Sequence, residues 1–459
     1  LDLARENTEK LRQEQLEKEL AQKEKELAEL KRAREKQAEI IAQKESRAGQ
    51  SANEAQRLEI GAAIQTKPIK ATKIIINDTA QPFEAQFVIA KKSDIKPNFE
   101  RTGTQGRSEK QSKVIESIQK DFKPHLIFEQ SGGFEGLPLI TKDGQVIAGN
   151  HRAEAINQLT GENLARYKQA AKEKFNVDLN DDEVIVRLVN DSDEKELVNL
   201  AFMSNVGRES NLGEKALSNL AKFEKEMPNL PNHIQAESVD ELQSIISKTL
   251  DKQGAGLNTF DTNLALFSKL AKNSSNNDIL DALNKIQNLS AEEKSKILKM
   301  FVDNAGSFYN LAKDTELKNL DLRPYLNDSI VTAANSYASR AEDYARLFDD
   351  ISHILSLDEN ALKETLKLDK HLFENLKSKA LGLSFARFAR LENPSSQLFE
   401  FLKNAKANLE DLNSANLFDS TGKSLDELDI YDFLKHAINQ GRESEYATQI
   451  IGKLDDLRA

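Results

Sequence analysis

Cysteine and tryptophan are absent from the 459 residues, methionine occurs three times, and there are only 9 prolines and 19 glycines. Without cysteine the chain can form neither disulfides nor thiolate zinc sites, and a reducing cytoplasm is the expected compartment. The six histidines are too scattered to suggest a metal site. No apolar run approaches the ~20 residues of a membrane span, and no signal-peptide core opens the chain, so neither membrane insertion nor export is expected. The Gly-x-x-x-x-Gly-Lys-Ser/Thr loop, the His-Glu-x-x-His helix and the Gly-x-Ser-x-Gly elbow are all missing, which removes the familiar enzyme classes that use them. The chain begins at Leu1 with no methionine, as a segment of a larger protein would. A net charge of −11 weighs against indiscriminate nucleic-acid binding.

What is present is 39% hydrophobic and 30% charged, which suits a molecule with real cores and extended, solvated parts, in two to four domains. Residues 1–62 are rich in Glu, Lys, Arg, Gln and Ala and predict a long charged helix. Leu16, Leu20, Leu27, Leu30 and Ile41 partly follow a heptad, while Lys23, Arg34 and Gln37 interrupt its seam. Both a solvated single helix and a coiled coil joining the protein to itself or to a partner are compatible with that pattern. Residues 66–225 read as a mixed domain. Short strands are expected at Ile74–Ile76, Phe87–Ile89 and Pro124–Phe128, and an amphipathic helix carries Val114, Ile115 and Ile118. Val184–Val189 is long and apolar enough for a buried strand. From 226 to 459 the spacing is helical throughout, Ser290 and Asp358 look like N-caps, 415–430 reads as a loop, and the many phenylalanines read as core.

The sharpest signal lies at residues 138–160. Apolar runs Pro138–Thr141 and Gln145–Ala148 flank Asp143-Gly144, a strand–turn–strand pattern. Directly afterwards Gly149-Asn150-His151-Arg152 opens a helix whose apolar residues are Ala153, Ile156 and Leu159. The first turn of such a helix has N–H groups without helical acceptors and carries the positive end of the dipole, a natural seat for an anion. Glycine at 149 admits close approach, Asn150 can cap the helix, and Arg152 adds a cationic fork. Phosphate cradle and plain hairpin-to-helix junction both remain open on these residues alone.

Ala148-Gly149-Asn150-His151-Arg152-Ala153-Glu154-Ala155 resembles the Gly-Glu-Arg-Arg-x-Arg-Ala box of the ParB/sulfiredoxin superfamily, and is most similar to the DdrB-like ParB branch found on mobile elements. Asn150, His151 and Glu154 depart from the glutamate and arginines of the partitioning proteins. A second stretch, Glu196 to Ala216, resembles the second ParB box, with Asn205, Arg208, Glu214 and Ala216 in matching spacing and Ser204 where a glutamate usually stands. Gln105-Gly106-Arg107 is a loose match to a Gln-Pro-Arg segment. The resemblance implies an α+β fold: a small mixed-sheet domain between an N-terminal long helix and a large all-α C-terminal region. It implies nucleotide binding, of CTP or ATP with magnesium, by Gly149, Asn150, His151, Arg152, Arg208 and Arg107, with Asn205 helping to hold the metal. His151 and Glu154 are the candidate acid and base. Because the sulfiredoxin reaction needs a thiolate, what survives is phosphate chemistry. Three functions stay open: a nucleotide-dependent switch of a mobile element or phage, with or without slow NTP hydrolysis, acting on DNA or a protein partner; a phosphotransferase; and a nucleotide-independent helical scaffold.

Overall fold

The central sheet has the order β1-β2-β5-β3-β4, built from Thr66–Ile74 (β1), Phe83–Lys91 (β2), Leu139–Ile140 (β3), Val146–Ala148 (β4) and Glu183–Val189 (β5). All neighbours are antiparallel except β3 and β5, which run parallel with Leu139 opposite Arg187 and Ile140 opposite Leu188. The apolar run of β5 follows from its position, since a central strand is covered on both faces. One face carries Val88, Ala90, Ile140, Val146, Val184 and Val186 under Ala153 and Ile156 of α4 (Asn150–Asn157) and Tyr167 and Ala171 of α5 (Gly161–Phe175). On the other, Ala85, Leu139, Ile147 and Val189 meet Leu197, Leu200 and Ala201 of α6 (Glu194–Asn205). Tyr167 is fully buried, and its hydroxyl accepts from the Ile185 N–H at 2.9 Å, tying α5 to β5.

The computed structural model describes residues 2–48, 59–74, 83–99, 112–120, 122–128, 136–190, 193–205, 212–252, 254, 259–271, 286, 289–339, 344–414, 422–440 and 445–459. Ile75 and Ile76, expected in a strand, lie outside them; the amphipathic helix is α2 (Ser112–Lys120). Pro124–Phe128 is not the expected strand. Its Ile127 and Phe128 N–H groups both donate to the Pro124 carbonyl, at 3.0 and 2.8 Å, making a turn and the short helix α3 (His125–Phe128). Proline starts a helical turn at little cost because the N–H it lacks would have no partner there.

The expected N-terminal helix is α1 (Asp2–Ala48), and Leu16, Leu20, Leu27 and Leu30 along it are each at least 50% exposed. Its last turns are anchored far away in sequence. Lys44, 2% exposed, donates from Nζ to the carbonyls of Leu311, Asp314 and Leu317 at 3.0, 3.1 and 3.0 Å. Beside it Glu45 pairs with Arg323, and Arg47 donates to Asn319 Oδ1 at 2.7 Å.

The region that receives α1 is helical: α7 (Leu212–Phe223), α8 (Val239–Leu250), α9 (Thr259–Leu270), α10 (Ala291–Asp303), α11 (Ala305–Lys313), α12 (Leu326–Ser339), α13 (Tyr344–Ser356), α14 (Glu359–Leu368), α15 (Leu372–Ala389), α16 (Pro394–Ser414), α17 (Ile430–Asn439) and α18 (Glu445–Arg458). Its centre is a ring cluster of Phe267, Phe301, Phe308 and Phe385. Ser290 caps α10 with a full capping box, and Asp358 caps α14. Within the expected 415–430 loop, Leu425–Glu427 forms a 3-10 turn. Ala216 and Phe223 of α7 belong to this core, whereas α6 belongs to the sheet.

Candidate functional site

The site starts at the β3–β4 hairpin. Gly144 has φ +88°, and a Cβ there would stand 2.0 Å from the Asp94 carbonyl oxygen, so this turn requires glycine twice over. Asp143 accepts from the Thr141 hydroxyl, from Gln145 Nε2 at 2.7 Å and from the Gly61 N–H at 2.9 Å. Burial would raise its carboxyl, but these hydrogen bonds prevail and hold it below its ordinary value. Gln145 Nε2 also donates to the Glu59 carbonyl at 2.7 Å. The hairpin therefore clasps the segment that leads into β1.

Its other edge is lined by the chain leaving β2. Lys96 N–H donates to the Gly144 carbonyl at 2.8 Å, Val146 N–H donates to the Lys96 carbonyl at 3.1 Å, and Asn98 N–H donates to Asn150 Oδ1 at 2.7 Å. That last bond replaces the expected capping role of Asn150. The N-cap of α4 is Gly149, with φ 87° and ψ 34° and no side-chain cap, and Asn150 is the first helical residue, turned aside to hold the 95–99 segment. His151 is buried edge-on against Phe99, with ring centroids 5.1 Å apart. Glu154 accepts from Gln158 Nε2 at 2.6 Å, an ordinary pairing along one helix face.

Arg152 folds back over the helix start. A Cβ on Gly149 would lie 2.8 Å from Arg152 Nη2 and 3.1 Å from Nε, so glycine gives the guanidinium its seat. A left-handed residue leading into a right-handed helix curls successive N–H groups towards one point, and the dipole adds positive potential there. Backbone donors and a guanidinium thus share one corner, a combination suited to phosphate or carboxylate oxygens.

The second stretch comes to the same place from below. Ser204, buried near the end of α6, donates to the Ala201 carbonyl at 2.7 Å and to the Ile147 carbonyl at 3.4 Å, two residues before Gly149. Asn205 closes α6, and its side chain lies outside the described residues, as do Arg208 and Arg107 entirely. One residue escaped the sequence reading. Arg187, 4% exposed in the apolar β5, donates from Nε to the Leu137 carbonyl at 2.9 Å, and burial lowers it to about 10. It braces the loop that enters β3. A single cation inside Val184–Val189 was the available signal, because a buried charge needs a structural or chemical reason.

Residues 78–190 match the family model of the ddrB-like ParB superfamily domain, and this stretch is a ParB-like domain. The match takes in the hairpin, Gly149 and Arg152, and ends at the close of β5, before α6. No curated protein and no solved structure matches the chain. Among the described residues no helix is long and apolar enough to cross a membrane.

Proposed function

We propose that the ParB-like domain binds the phosphates of a nucleoside triphosphate, CTP or ATP, with magnesium at the start of α4, and that the bound state biases how the helical region engages a protein or DNA partner in a mobile element. The observation that carries this reading is the left-handed Gly149 with the Arg152 guanidinium folded over it. Gly149, the N–H groups of the first turn and Arg152 would hold phosphate oxygens. Asn205 and Arg208, at the end of α6 and just beyond, are assigned to metal and phosphate by the family resemblance alone.

The relay has a physical basis. α6 packs on β4 through Ser204 and Ile147, and α7, next in the chain, is built into the helical core through Ala216 and Phe223. A ligand that orders the end of α6 would therefore act on α7 directly. Binding is favoured over turnover, because His151 is pressed on Phe99 and Glu154 is engaged by Gln158.

Calorimetry against CTP, ATP, GTP and ADP, with and without magnesium, tests the proposal. Arg152→Ala should weaken binding ~10- to 150-fold, the equivalent of one charge-assisted hydrogen bond of ~1.5–3 kcal/mol, while circular dichroism and melting stay unchanged. Equal affinity in the folded variant, or no nucleotide affinity in the wild type, removes the reading.

A further inference from the structure

A cavity of about 750 Å³ opens in the helical region between α12, α15, α16 and α17, with no relation to the ParB-like site. Its floor is aromatic. Phe388 and Phe401 lie with ring centroids 5.4 Å apart, and the Arg387 guanidinium sits over both, 4.6 Å from the first and 5.8 Å from the second. Behind Phe401, His436 stacks at 5.3 Å and 14°, 2% exposed.

Arg387 is unusual in this region for what it does not touch. Other enclosed arginines are matched by carboxylates: Arg323 by Asp321 and Glu45, Arg458 by Asp429 and Asp432. Among the described residues no carboxylate pairs with the Arg387 guanidinium, its Nη1 is buried without a hydrogen bond, and the lowering of its basicity by burial is offset in part by Tyr344 alone. One turn later Arg390 gives one Nη2 bond to the Ser336 carbonyl, 2.8 Å, and no described carboxylate pairs with it. Glu400, exposed, also lines the cavity and forms no ion pair with either arginine. Burial, and secondarily the charge of Arg387, holds His436 below its ordinary value and so favours its neutral form. Among the described residues the half-buried Arg387 thus has no carboxylate partner, an arrangement that costs stability unless an anion completes it. The remaining walls include the amides of Asn404, Asn408 and Gln440, which orient a ligand without adding charge. The volume lies in the range of small-molecule sites.

We propose that this cavity binds a small organic anion, a carboxylate or phosphate attached to a flat ring, with the anionic oxygens on Arg387 and Arg390 and the ring against Phe388 and Phe401. The guanidinium edge supplies paired donors for two oxygens, and the aromatic floor supplies the area that an inorganic ion cannot use.

Titration calorimetry of the full chain with benzoate, phenyl phosphate, benzamide and inorganic phosphate tests this. Benzoate or phenyl phosphate should bind at least ~10-fold tighter than both the neutral benzamide and inorganic phosphate, and whichever of the two is tighter identifies the anionic group. Arg387→Gln should abolish that preference, and Arg387→Lys, which keeps the charge and is the safer variant for folding, should weaken it. Arg152→Ala should leave it unchanged, which separates this cavity from the nucleotide site. Equal binding of benzamide, equal binding of inorganic phosphate, no binding of any ring anion, or a preference that survives Arg387→Gln in the folded protein would each overturn the proposal.

Discussion

Lys44 sets two effects against each other, and pH decides which prevails. Three carbonyls receive its three ammonium protons at the end of α11, where the helix dipole is negative, and this favours the charged form. Burial opposes it and prevails over the attraction of Asp321 and Asp314, lowering Lys44 from 10.5 to about 8. The sign follows from linkage: below pH 8 both folded and unfolded chains hold the proton, and the full penalty is present. Between pH 8 and 10.5 the unfolded chain binds more protons, so stability rises with pH. The ceiling is ~3 kcal/mol, at 1.36 kcal/mol per unit. Urea unfolding of wild type and Lys44→Met at pH 7 and pH 9.5 isolates the effect, since other titrations cancel in the difference. Wild type should gain ~2 kcal/mol on the variant over this range. A difference that stays flat or falls would mean that the carbonyls outweigh burial and that Lys44 remains charged past pH 10.

Three further outcomes are expected. Gly144→Ala should cost at least ~2 kcal/mol and disrupt the hairpin, because it combines positive φ with a Cβ 2.0 Å from the Asp94 carbonyl; a melting temperature within a degree of wild type would contradict this. Asn150→Ala should cost ~1–2 kcal/mol and raise hydrogen exchange at Asn98, whose N–H loses its acceptor, and unchanged exchange there would show that the clamp is idle. Asn205→Ala should reduce nucleotide affinity in magnesium and change little in EDTA, and equal losses in both would assign Asn205 to the helix end alone.

The architecture was legible wherever a single pattern dominated. The glycine-poor charged run became α1, the apolar Val184–Val189 became a central strand, and Asp143-Gly144 became a tight turn. Pro124–Phe128 was misread because five apolar-rich residues carry no usable period, and only a proline at the first position favoured a helical turn. In the site, glycine at 149 and arginine at 152 announced their geometry, since few other residues accept φ 87° beside a guanidinium. Asn150 did not. Its identity fits a cap, and only the fold reveals that a chain segment some 50 residues earlier offers an N–H at 2.7 Å.

The same holds for how the parts are joined. Sequence order suggests that α1 leads into the ParB-like domain, yet its last turn is fixed to the helical region by Lys44, Glu45 and Arg47, while residues 59–64 are fixed to the hairpin by Asp143, Gln145 and Lys142. The chain is therefore held before residues 49–58 by the helical region and after them by the hairpin. α6 and α7 make a second such connection, from β4 to the core around Phe267.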